Sequence, residues 1–151
     1  MTERNGGSAG TATLELVIVA PLIFAILSLT FAFGLFSRTE NVVDQAARDA
    51  ARAATAQNDR SEVTPIANRV TAETMREAPE SCRSTARAAP PVLSSGAFEP
   101  PDITQTNAIE TVSVTVTCQL DLSELAFIPF RPVSVSRTFT SPLDRFRGYQ
   151  P

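Results

Sequence analysis

From Leu16 to Phe36 the chain carries no charged residue, and this run constrains everything built around it. At about 1.5 Å of rise per residue it makes a helix of roughly 31 Å, the thickness of a bilayer's hydrocarbon core. A polar, glycine-rich leader, residues 1–10, precedes it, and Thr11-Ala12-Thr13-Leu14-Glu15 joins the two. The carboxylate of Glu15 stands at the lip of the apolar run, five residues after Gly10, and Pro21 follows six residues later. A charged carboxylate costs about 2.5–3.5 kcal/mol at mid-membrane and less near the interface. A soluble domain has no use for such a helix, and a plain anchor would do better with leucine at position 15.

Beyond Ser37 the pattern turns from apolar to amphipathic without a Gly or Pro interruption, through Arg38 to Ala56. One helix is therefore expected from Thr13 onward, about 43 residues and roughly 65 Å long, half in lipid and half outside it. Val43, Ala47, Ala50 and Ala54 fall on one stripe at helical spacing. Asp44 and Arg48 are set as an i,i+4 pair, and Asp49 and Arg52 as an i,i+3 pair. The alanines at 46, 47, 50, 51, 53 and 54 supply high helix propensity. Those at 46, 50 and 54 suit a plain exposed helix and a close helix–helix approach equally.

A break is expected at Gln57-Asn58-Asp59-Arg60. Thr64 then reads as an N-cap with Pro65 at the first helical position, and Ile66, Val70 and Met75 as the apolar edge of a second helix ending before Pro79. Residues 79–101 hold five prolines with Ser94-Ser95-Gly96 and read as irregular surface loop. From Thr111 to Leu122 apolar and polar residues alternate strictly, the pattern of a half-buried strand in an antiparallel sheet. A partner strand is expected from Val133 to Thr140, at an edge or bulged because Arg137 interrupts its apolar side. Pro129 and Pro132 exclude a tight hairpin between the two, and Phe127, Ile128 and Phe130 are expected to fold back on the sheet. The fold class is thus α+β: a long N-terminal transmembrane helix (11–36) continuing as an amphipathic helix (37–56), then a small head (57–151) on that stalk, with a short second helix and a small antiparallel sheet.

Composition narrows the function. The chain has 151 residues, a formal net charge of −3 and a sequence pI near 5.0, which argues against nucleic acid as a partner. Histidine is absent, which removes the commonest general base and the commonest metal ligand. No catalytic residue, metal site, cofactor or small-molecule substrate is inferred. Asp121 and Glu124 form a close acidic pair in the head; a glycosidase would need such a pair, but a turn or cap at a strand end explains it better. The two cysteines, Cys82 and Cys118, both follow the apolar helix. In an exported head they pair as a disulfide closing a loop of about 37 residues, worth about 3–4 kcal/mol in the chain-entropy model; in a cytosolic domain they would be two buried thiols.

Taken in order, Gly10, Glu15, Pro21, the aromatics Phe31, Phe33 and Phe36, and the stretch from Asp44 to Ala54 resemble the TadE-like family of the tight-adherence (Tad) pilus system. The likeness covers roughly residues 10–55. Thr11 departs from it, since alanine or serine is more usual there, and the C-terminal part carries no matching motif. The resemblance implies a pilin-like inner-membrane protein, cut between Gly10 and Thr11 by an aspartic prepilin peptidase and associated with other pilin-like and Tad machinery subunits. It also implies an assembly role for Glu15, whose carboxylate would meet the Thr11 amine of a neighbour, and for Pro21, which frees the carbonyl of Val17 and bends the helix.

Topology is less direct. Arg4 precedes the span while Arg38, Arg48 and Arg52 follow it, a distribution that by itself favours a cytoplasmic C-terminus. The acidic neighbours of those arginines, the cysteines, the sheet pattern and the leader favour an exported head instead. Two alternatives stand beside the pilin-like reading. One is an uncleaved, single-pass envelope protein whose exported head binds a ligand or partner. The other is an ordinary secretory signal ending at Ala32-Phe33-Gly34, against which Glu15 and the long uncut helix argue.

Overall fold

A computed structural model describes residues 9–98, 109–123 and 131–144 of the chain. The leader through Ser8, Glu124, the 127–130 cluster, Pro100 and Pro101 lie outside the described residues. The first helix, α1, runs unbroken from Ala9 to Thr55, 47 residues, and so begins ahead of the expected Thr13. Its two halves meet different surroundings. From Leu16 to Phe33 the large apolar side chains are exposed, whereas Val43, Ala46, Ala47, Ala50, Ala51 and Ala54 are wholly buried. The expected stripe of Val43, Ala47, Ala50 and Ala54 is thus in the core, widened by Ala46 and Ala51 because α1 packs on the sheet and on a second helix at once.

That second helix, α2 (Arg60–Thr74), starts earlier than the Thr64 cap expected from sequence. Asp59 caps it instead, its carboxylate accepting from the Ser61 amide at 2.8 Å, and Pro65 sits inside the helix. The buried stripe is Val63, Ala67 and Thr71, with Ile66 and Val70 at its margin. A 3-10 turn over Met75–Glu77 ends the helical run before Pro79 and buries Met75.

The segment read as loop carries structure. A short helix, α3 (Glu80–Thr85), holds the buried Cys82, and two two-residue strands follow, β1 (Arg87–Ala88) and β2 (Val92–Leu93). Both pair antiparallel with β3 (Thr111–Leu120), β1 opposite Val116 and Thr117 and β2 opposite Val112 and Ser113. Prolines 90 and 91 have no amide to donate, so they split what would otherwise be one edge strand. Between them and β1, the Ala89 amide still bonds the Thr115 carbonyl at 2.8 Å. Beyond β1, side-chain hydroxyls of α3 take over: Thr85 Oγ1 accepts from the Gln119 amide at 2.9 Å and Ser81 Oγ from the Asp121 amide at 3.1 Å.

On its other side β3 pairs along its whole length with β4 (Val133–Pro142), in one register from Thr111↔Pro142 to Leu120↔Val133 with no bulge. Val112, Val114, Val116, Cys118 and Leu120 point into the core. The outer face is a ladder of paired hydroxyls, Ser113 with Thr140 at 2.7 Å, Thr115 with Thr138 at 2.8 Å and Thr117 with Ser136 at 3.1 Å. Arg137 does not distort β4. It lies on the inner face, and its guanidinium reaches across to Glu40 of α1. Nearby, Arg48 pairs with Asp44 at 2.8 Å and stacks over Phe139, 5.3 Å from the ring centre. Asp49 and Arg52, expected to pair, are not among the described ion pairs.

Candidate membrane and assembly segment

The N-terminal half of α1 has the properties of a membrane span. Its most apolar 18-residue window is not buried at all against the rest of the protein. Leu16, Val17, Ile18, Leu22, Ile23, Phe24, Ile26, Leu29, Phe31 and Phe33 are each at least half exposed, an apolar surface of the kind that marks a membrane or protein contact. A continuous helix meets most backbone polar groups internally, as hydrocarbon requires, with the Val17 carbonyl left without the amide that Pro21 lacks. Even the hydroxyl of Thr30 is satisfied locally, donating to the Ile26 carbonyl at 2.9 Å. Pro21 lies within the helix and is exposed.

Gly10 and Thr11 belong to the first turns of α1. Glu15 follows one turn later and is exposed, and among the described residues it has no ion-pair partner.

These observations put an exposed apolar helix, headed by a glycine and a lone glutamate, on an alanine-rich continuation. Residues 10–52 match the family model for TadE-like protein. This stretch of α1 is similar to TadE-like proteins. No curated protein and no solved structure matches the chain. The TadE-like match begins at Gly10 and ends at Arg52, so it covers the whole apolar run and most of the buried alanine stripe. The sheet, α2 and the cysteines lie beyond it.

In that remainder, Cys82 of α3 and Cys118 of β3 are joined, with their Cα atoms 4.9 Å apart. Both are buried. Asp121, considered above as half of an acidic pair, is occupied with its own turn. Its carboxylate accepts from the Ser123 amide at 2.8 Å, and that backbone bond holds its pKa below the usual carboxylate value. Of the arginines that follow the apolar run near the membrane, only Arg48 has an acidic partner among the described ion pairs; Arg38 and Arg52 do not.

Two features of the TadE-like stretch escaped sequence reasoning. Thr39 is fully buried, its hydroxyl donating to the Leu35 carbonyl at 2.8 Å, so the core begins only a turn after the apolar run. Glu40 meets a residue 97 positions away, which no local pattern encodes.

Proposed function

We propose that this chain is a pilin-like structural subunit of a Tad-type pilus or secretion apparatus, working by assembly rather than by catalysis. The observation that carries the reading is the overlap of the TadE-like match, residues 10–52, with the exposed apolar part of α1. In this reading a prepilin peptidase cuts after Gly10 in the cytoplasmic membrane and exposes the Thr11 amine. Glu15 of one subunit then faces that amine on another, and the pair sets the axial register, because any other register leaves a charge unpaired in a desolvated interface. The head stands outside the cytoplasm. The Cys82–Cys118 bond supports that side, since such bonds persist in oxidising compartments, and it outweighs the arginine distribution. Other pilin-like and Tad machinery subunits are the partners.

The test is the mature N-terminus. Mass spectrometry of protein from the native membrane is expected to find a chain beginning at Thr11, and Gly10→Val is expected to accumulate as the uncut precursor. The chain has no lysine, so an amine-reactive label reads that terminus alone. An intact Met1 in the wild type, or normal processing of Gly10→Val, overturns the peptidase step.

A further inference from the structure

We propose that the end of the head carrying Arg131, Pro132 and Val133 rests on the bilayer surface, giving the protein a second membrane contact beside α1. The inference rests on the reading of α1 as a membrane span. Three contacts set the direction of β4 against the helix. Glu40 meets Arg137, Arg48 stacks on Phe139, and Thr55 meets Ser141 at 3.4 Å. Moving outward along α1 therefore means moving forward along β4, so the beginning of β4 and the end of β3 point back toward the apolar run.

The distances carry this end of the sheet to the membrane. Glu40 lies four residues beyond Phe36, the last residue of the uncharged run, or about 6 Å along the helix. Val133 lies four residues before Arg137, or about 13 Å along the strand. Even if only half of that strand length projects on the helix axis, Val133 reaches the level of Phe36. Leu35 and Phe36 pack against the core, so no spacer separates head from span.

The chemistry of this end suits the boundary between headgroups and acyl chains. Arg131 and Pro132 are exposed, and Val133 is 37% exposed although it lies on the inward side of β4. A guanidinium binds lipid phosphate bidentately, while the short apolar residues next to it enter the acyl boundary at little cost. Asp121, at the same end, stays anionic because the Ser123 amide bonds its carboxylate, so it offsets part of the attraction of Arg131 and the apolar residues beside it carry the rest of the contact.

The chain contains no tryptophan, so a single introduced indole reports its own surroundings. Full-length Val133→Trp and Arg131→Trp proteins are placed in vesicles of phosphatidylglycerol and brominated phosphatidylcholine. Phe24→Trp serves as the reporter in the span. Val92→Trp serves at the far end of the sheet, where Val92 is 69% exposed and pairs with Ser113. The expected order of quenching is Phe24→Trp strongest, Val133→Trp and Arg131→Trp intermediate and blue-shifted, and Val92→Trp none. Quenching at 24 with neither 131 nor 133 quenched overturns the contact and leaves the span intact. A blue shift at 133 without quenching means that protein, not lipid, covers this end, and overturns it as well. Absence of quenching at 24 overturns the span and the contact together.

Discussion

Glu15 is the residue whose environment fits its chemistry least, a carboxylate on an exposed apolar helix with no partner among the described residues. Replacing it with leucine removes the charge without disturbing insertion. Glu15→Leu is expected to be inserted and cleaved but to drop out of assembled structures, since losing one partner of a desolvated pair costs about 3–5 kcal/mol. Fractionation of pili or of the cross-linked complex tests this, and wild-type incorporation of the mutant sinks it. Asp59 makes a different kind of contribution. The Ser61 amide bonds its carboxylate and holds its pKa below the usual carboxylate value. A lowered native pKa stabilises the fold above the unfolded-state value, and that stabilisation is lost as pH falls through the native one. Asp59→Ala should therefore melt below wild type at pH 7, and the gap should close once the pH is below both values. A gap that is the same at pH 7 and under strong acid would refute the capping account.

At the scale of elements, the alanines of α1 set how closely the helix approaches the sheet. Ala46, Ala47, Ala50, Ala51 and Ala54 have no exposed surface, so no larger side chain fits without moving the sheet or α2. Ala50→Leu is expected to destabilise the head by about 1–3 kcal/mol, the usual cost of overpacking. Gln45→Leu, on the exposed side, is expected to change little; equal melting temperatures for the two by circular dichroism would refute the packing argument. The same elements explain what could be read in advance. The strand β3 was legible because ten alternating residues allow only one face to be buried, and α1 because its apolar run and alanine stripe share one period. The start of α2 was not, because an Asp two residues before a Ser competes with a Thr-Pro pair that resembles a helix start just as well. The strands β1 and β2 were illegible for a stronger reason. Two residues carry no period, and their pairing depends on the amide and carbonyl groups that β3 offers, not on their own side chains. Helix α3 is likewise too short to show periodicity, and its hydroxyls work by covering the edge of β3. Arg137 looked like an interruption because its partner, Glu40, sits on another element.

For the molecule as a whole, residues of the amphipathic segment 37–56 contribute directly to the core. The outer half of α1 is the central piece of the core, packed between the sheet and α2. That could not be read from the helix alone, since a stripe of alanines fits an exposed helix as well as a buried one. The bond between Cys82 and Cys118 holds α3 and the strands after it against β3. Closing a loop of about 37 residues contributes about 3–4 kcal/mol in the chain-entropy model, a large part of the stability of a small domain. Cys118→Ser is expected to leave insertion and cleavage at Gly10 intact while making the head sensitive to protease and scarce in the membrane. Full alkylation of both thiols in undenatured, unreduced wild-type protein would contradict the bond and favour a cytoplasmic head.

The position of that bond has a mechanical consequence. Neither cysteine belongs to α1, so no disulfide cross-links the long helix to the sheet it supports. The helix is held by its alanine contacts, by Glu40 on Arg137 and by Arg48 on Phe139, and because β4 runs in the same sense as α1 these contacts are spread along the line of the helix. A pull on the membrane end loads them together, in shear. The head resists extraction through its whole interface at once, and when that interface fails the helix slides free while the stapled sheet stays closed.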